Sequence, residues 1–267
     1  METPHKDTTT QYHETKVAET PVNAPQGIPP QSPYAIPGAI VIAGAIIAGA
    51  VLYSGGSAGG QFLPSQGAAK VPTEEGQQAS ADGIRPVDGT DFIVGNPNAP
   101  VKIVTFSDLE CPFCKRFHFT MKEAMEKYGS SGEVAWVFRH FPLDTLHEQA
   151  RPEAIAAECV GQLGGNDAFW KYLDSIFTET TSNDGLDLAM LDVFATDLSI
   201  DATAFTDCRN GTGAGEAVEA DFQDAITSGG TGTPYSVIIA KDGSKTAFSG
   251  AQPLANVERA IKEALAK

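Results

Sequence analysis

Positive charge is scarce in this chain. It has 18 Lys and Arg against 34 Asp and Glu, a net charge of −16. A surface of that sign is repelled by a phosphate backbone, which argues against nucleic acid as a partner. The imbalance is not confined to one tail, since residues 84–267 alone carry 27 acidic and 15 basic side chains. Cysteine is scarce as well, with four in 267 residues. An even number permits pairing but does not demand it in a chain of this length. Only Cys111 and Cys114 form a CxxC pair. A structural zinc site needs four ligands, often two CxxC or CxxH pairs. Cys159 and Cys208 stand singly in helical sequence, so the second half of such a site is missing. A copper carrier with one CxxC would be a small module without the long helical block found here. No metal is therefore expected, and no internal repeat is visible.

One stretch lacks charge altogether. Residues 34–53 read YAIPGAIVIAGAIIAGAVLY, and about 20 apolar residues match the thickness of a bilayer core. Pro37 suits the first turn of a helix, where its missing N–H costs nothing. Gly44/Ala48 and Ala45/Gly49 have the small-xxx-small spacing that lets two helices approach. The run starts late, no basic region directly precedes it, and no clear A-x-A site follows. It reads as an uncleaved membrane anchor rather than a cleaved signal, touching lipid through residues 34–53. Lys6 and Lys16 precede it and the first basic residue after it is Lys70. The positive-inside rule then puts the N-terminus in the cytoplasm and the rest outside it. Residues 1–33, rich in Thr, Pro, Gln and Glu, read as a disordered tail in which His5 and His13 are solvated. Residues 54–83, rich in Gly, Ser, Ala and Gln, read as a flexible linker with a span of roughly 30 Å.

Residues 84–267 form the expected folded domain. VKIVTFSD (101–108) and EVAWVFRHF (133–141) read as buried strands, with a helix from about Pro112 to Tyr128 between them. Helical patterns fill residues 147–228. TPYSVIIA (233–240), a KDGS turn and KTAFSG read as a hairpin. An amphipathic helix closes the chain at 254–266. The order is β-α-β, a helical block, then β-β-α.

The chemistry concentrates in FSDLECPFCKRFH (106–118). Cys111 follows a strand at the expected N-cap of a helix, with Pro112 at its first position and Phe113 next. Unpaired N–H groups and the helix dipole favour a thiolate there. Cys114, one turn later, can attack a mixed disulfide on Cys111 and close the ring. Lys115, Arg116 and His118 add positive charge nearby, and Glu110 opposes them. His118 lies two helical turns after Cys111, on the same side; a modest electrostatic role there is the lesser alternative to a structural one. Pro234, in GTGTPYSVII, stands before a strand and after Gly-rich sequence, a candidate cis bond. His140, Trp136 and Trp170 read as structural, and His147 carries no specific signal.

VKIVTFSDLECPFCKRFH, VFRHFPL, AIAAECVGQLGGNDAFWKYLDSIF and GTPYSVIIAKDG together resemble the DsbA-like thiol–disulfide oxidoreductases of the thioredoxin superfamily, over about Asp91 to Lys267. The resemblance implies an α/β thioredoxin fold with an inserted helical domain. It implies Cys111 as nucleophile and Cys114 as resolving thiol, so that the redox-active disulfide Cys111–Cys114 takes the place of an external cofactor. It implies a cis Pro234 packed against that disulfide, and Thr233 pairing with substrate backbone as an added strand. It also implies that Cys159 and Cys208 form a structural disulfide, for which two buried free thiols are the alternative. Its 49-residue loop would contribute about 4 kcal/mol in the chain-entropy model. Many relatives carry a buried acid six positions before the first cysteine. Here that position is Thr105, so no proton acceptor for Cys114 is evident; Asp108 and Glu110 are expected on an exposed turn.

The expected activity is disulfide formation or exchange in unfolded or reduced extracytoplasmic proteins, with a quinone-linked membrane oxidase as the family's re-oxidising partner. The Pro-Phe dipeptide and the missing acid leave a reductase or isomerase open. An anchored module that only binds peptide or metal is the reading from another class.

Overall fold

The computed structural model describes residues 80–267. The expected tail, membrane span and all but four residues of the linker lie outside the described residues. Those four, 80–83, already belong to the folded body. Ala81–Gly83 is one 3-10 turn whose Asp82 N–H is capped by Ser80 Oγ, and Lys245 Nζ donates to Asp82 O. Among the described residues, no helix is long and apolar enough to cross a membrane.

The sheet is mixed. Its strands are β1 (Phe92–Gly95), β2 (Val101–Ser107), β3 (Val134–His140), β4 (Tyr235–Ile239) and β5 (Lys245–Ser249), in the order β1-β3-β2-β4-β5. Helix α1 (Pro112–Tyr128) connects β2 to β3, which pair in parallel with Thr105 opposite Phe138. The β-branched and apolar residues of β2 and β3 are buried on both faces, as a central parallel pair requires. β4 lies antiparallel to β2, with Thr105 opposite Ser236. Strand β1 was not expected from the sequence. It is four residues long and pairs antiparallel with β3 at the sheet edge.

Between β3 and β4 the chain leaves the sheet for five helices. They are α2 (Ala150–Gly164), α3 (Asn166–Glu179), α4 (Ala189–Asp197), α5 (Ala202–Asn210) and α6 (Gly213–Thr227). This is the expected insertion. Cys159 of α2 and Cys208 of α5 are bonded, with a Cα–Cα distance of 5.8 Å. The closing helix α7 (Leu254–Leu265) buries Val257, Ile261 and Ala264 on one stripe.

Arg139 of β3 ties the insertion to the sheet. Its side chain is fully buried. Nε and Nη2 donate to the two oxygens of Asp91 at 2.8 and 2.9 Å, and Nη1 donates to Asp224 of α6 at 2.6 Å. Arg85 Nη2 reaches Asp91 and Asp221 from the other side. Removing one member of such a network leaves uncompensated charge without water. Arg139→Leu is therefore expected to lower unfolding free energy in urea by about 3–5 kcal/mol; a loss under about 1 kcal/mol, the range of an exposed pair, would overturn this account.

Candidate active site

β2 ends at Ser107, and the turn Asp108–Glu110 leads into α1. Cys111 is the N-cap, with φ −78° and ψ 121°, and Pro112 is the first helical residue. No side chain caps this helix, so its free N–H groups are left for the sulfur. Those of Phe113 and Cys114 favour the ionised form of the Cys111 sulfur. Cys111 is 5% exposed and Cys114 1%. Across the cleft the Thr233–Pro234 bond is cis, and Thr233 O accepts from the Cys111 thiol at 3.6 Å. Thr233 Oγ1 is buried and has no partner while Cys111 is a thiol. Its hydroxyl favours the thiolate form of Cys111.

These contacts separate the two thiols. A hydrogen bond from Cys114 is the largest cause that brings Cys111 down to about 6; Thr233 and the helix N–H groups add to it, and burial opposes it. Burial pushes Cys114 well above the usual thiol range, and the neighbouring Cys111 charge pushes it further. The Asp108 N–H, 3.4 Å from Cys114 Sγ, and Ser107 oppose that rise. The two thiols are thereby pushed in opposite directions, Cys111 down and Cys114 up.

The turn before Cys111 is not exposed, contrary to the sequence expectation. Asp108 is 1% and Glu110 0% exposed, because the insertion folds over them. Asp108 accepts the N–H groups of Glu110 and Leu143, at 2.8 and 2.7 Å, and faces His147 Nδ1 at 3.0 Å. Burial raises Asp108 above the usual carboxylate range against these three bonds. Glu110 accepts from Thr180 Oγ1 at 3.0 Å and Gly185 N at 3.1 Å. The loop that supplies them holds Ser182, Asn183 and Asp184 at positive φ, a conformation unfavourable for residues with a Cβ. It is pinned by Asn183 N–H to Glu110 O and by Asp184 Oδ1 to Gln149 N–H.

Glu153 of α2 completes the cluster. Burial, then its interaction with Glu110, push its carboxyl up to about 10. Neither Glu153 oxygen has a hydrogen-bond partner, so its surroundings favour the neutral form. Glu153 lies in a stripe with Ala150, Ala154 and Ala157. An acid in an alanine stripe was the one signal in the sequence that pointed to it.

The remaining expected residues fall in different places. The Thr105 hydroxyl accepts from Trp136 Nε1 and shares a hydrogen bond with Ser236 Oγ, both at 3.1 Å. His118 is buried among Trp136, Trp170 and Phe177, with Nε2 2.7 Å from Asp174 Oδ1; its hydrogen bond is to α3. His140 is buried, and desolvation lowers it to about 3, a neutral core histidine. Phe113 is 53% exposed beside Cys111, with the Arg116 guanidinium over its ring. Lys115 donates to Thr178 O and Thr180 O. Among the described residues no group of three or more His, Cys, Asp or Glu side chains is placed to hold a metal ion.

The family model described as Thioredoxin matches residues 87–263. Among solved structures, the chain is similar to DsbA2 of Pseudomonas aeruginosa, with 28% identity, a TM-score of 0.56, and coverage of 67% of this chain and 96% of that one. It is similar to alpha-DsbA1 of Wolbachia pipientis at 25% identity and TM-score 0.57, covering 69% and 95%. It shares its fold with oxidised BdbD of Bacillus subtilis at 19% identity and TM-score 0.61, covering 71% and 100%. Among curated proteins, it is 35% identical over 96 residues to the Na(+)/H(+) antiporter NhaA 1 of Mycolicibacterium gilvum, covering 36% of this chain. It is 34% identical over 151 residues to NhaA 3 of Salinispora tropica, covering 56%. The match spans only 15% and 22% of those antiporters.

Two measurements test the site. The alkylation rate of Cys111 is expected to rise with a midpoint near pH 6 and then level off; a midpoint near pH 8.5, that of an ordinary thiol, would overturn the assignment. Glu153 is raised from 4.5 to about 10 on folding. Its unfolded form therefore ionises first as pH rises, and stability falls across that window. Glu153→Gln, which keeps the group neutral in both states, is expected to raise Tm more at pH 8 than at pH 5. Equal gains at both would sink the assignment of Glu153 as neutral in the folded protein.

Proposed function

The chain belongs to the thioredoxin family, as a DsbA-like member, and from that premise we propose that it is a thiol–disulfide oxidoreductase working in the oxidising direction. The observation that carries this reading is the Cys111 sulfur at the α1 N-terminus, between Cys114 and Thr233. A substrate thiolate attacks Cys111 Sγ of the Cys111–Cys114 disulfide, and Cys114 leaves and is protonated. A second substrate thiolate then attacks the substrate sulfur of the mixed disulfide. The substrate disulfide forms, and Cys111 leaves as a thiolate. A leaving thiolate that is stable at neutral pH favours the reduced enzyme, and so favours transfer of the disulfide outward. Thr233, at the lip of the cleft, pairs with the extended substrate backbone. Pro112, Phe113, Glu110 and Thr105 tune the pair; His118 acts at most through α1, given its contact with Asp174.

The same proposal places the domain outside the cytoplasm, on a single span formed by residues 34–53 with the N-terminus inside. The uncharged length of that segment and the lysines before it support this. Its substrates would be unfolded or reduced extracytoplasmic proteins, and a quinone-linked membrane oxidase would regenerate its disulfide. A disulfide at Cys159–Cys208 suits an oxidising compartment.

The test pairs a potential with an assay. The Cys111–Cys114 couple is expected near about −120 mV, and a value near about −270 mV would reverse the direction to a reductase. Oxidation of reduced ribonuclease is expected from the wild type and not from Cys111→Ser. Equal activity in the two would leave only a binding module.

A further inference from the structure

His147 carried no signal in the sequence, and the catalytic sequence above assigns it no role. It lies in the loop between β3 and α2, largely buried, with Nδ1 3.0 Å from Asp108 Oδ2. Asp108 touches both thiol residues through its backbone. Its N–H points at Cys114 Sγ at 3.4 Å, and its carbonyl accepts the Cys111 N–H at 3.3 Å. The negative charges that act on His147 come from three elements: Asp108 from the turn after β2, Cys111 from the start of α1, and Asp184 from the positive-φ loop. Burial works against a charge on His147, but the bond to Asp108 and the negative charges of Asp108, Cys111 and Asp184 together hold it above the ordinary histidine value.

One of those three charges depends on the redox state. The Cys111 thiolate exists only in the reduced protein; closing the disulfide removes it and leaves Asp108 and Asp184. We propose that His147, anchored on Asp108, is a positioning residue that holds a proton when Cys111 is a free thiolate and gives it up when the Cys111–Cys114 disulfide forms. This rests on the oxidoreductase reading. The stoichiometry closes. Two substrate S–H bonds are lost and one substrate S–S bond forms, while the Cys111–Cys114 bond accepts the two electrons and breaks. One proton ends on Cys114 Sγ. The second has no place on Cys111, which stays ionised, and is taken by His147 instead of by bulk water. Re-oxidation runs the same steps backwards, and His147 releases its proton as the Cys111 charge is consumed.

The decisive experiment follows the His147 imidazole by NMR in the full-length protein, isotope-labelled at its five histidines and assigned with His147→Gln. Its titration midpoint is expected to be higher in the reduced than in the oxidised protein, since an opposite charge nearby favours the protonated imidazole. Reduced Cys111→Ser is expected to titrate like the oxidised wild type. The pH dependence of the redox potential gives a second reading. Around neutral pH the wild type should take up closer to two protons per two electrons, and His147→Gln closer to one. An identical midpoint in both redox states, or the same proton count in wild type and variant, overturns the role of His147 while ribonuclease oxidation by the wild type persists. Loss of that oxidation in the wild type would overturn the oxidoreductase reading itself. Should His147→Gln fail to fold, the His147 imidazole is assigned by through-bond correlation to its own backbone in the wild type, and the comparison of the two redox states stands.

Discussion

A single negative charge on the Cys111 sulfur, at the open end of α1, is the interaction around which the rest of the site is arranged. A thiolate away from bulk water is costly, and the groups that offset that cost are the Cys114 thiol, the Thr233 hydroxyl and two helix N–H groups. Pro112 contributes by lacking an N–H of its own while fixing the backbone for the first turn. Nothing in this arrangement depends on a lysine or arginine beside the sulfur. Lys115 is turned to the backbone at Thr178 and Thr180, and Arg116 lies over the ring of Phe113.

The same low-dielectric setting governs the acids behind the sulfur. Fully ionised, Asp108, Glu110 and Glu153 would surround Cys111 with like charge and undo its stabilisation. The structure avoids this in two ways. Glu153 stays protonated against Glu110, and Asp108 is matched by His147 and two backbone N–H groups. The cluster is acidic in composition but much less so in net charge.

How much of this was legible in the sequence follows from how local each feature is. The N-cap position of Cys111 depends on a strand, a turn and Pro112 within a dozen residues, and it was readable. So were the two central strands, the hairpin and the presence of a helical insertion, each marked by β-branched runs or helical periodicity. The edge strand β1 was not, because DFIVG is short and its pairing with β3 lies over 40 residues away. The burial of Asp108 and Glu110 was misjudged for a similar reason. Their immediate neighbours suggest a polar surface turn, and the groups that bury them, Thr180, Gly185, Leu143 and His147, come from remote segments. Thr105 was seen as a departure from relatives, yet its hydroxyl's partners, Trp136 and Ser236, became apparent only with the strands in register. His147 lacked even that hint, since a lone histidine in a loop looks the same whether or not a thiolate sits behind it.

Helices α2 to α6 interrupt the sheet between β3 and β4 and return to it, which gives them the look of a removable module. Their contacts with Glu110 remove that freedom. The residue next to the reactive sulfur is bonded by Thr180 and Gly185 from one loop of the insertion and abutted by Glu153 from its first helix. A chimaera that exchanged this insertion for one from another scaffold would inherit the cysteines and the sheet intact, yet expose or unbalance the acid behind them. Domain grafting in this protein therefore has its natural seam not at the ends of the insertion but around the whole shell that encloses residue 110.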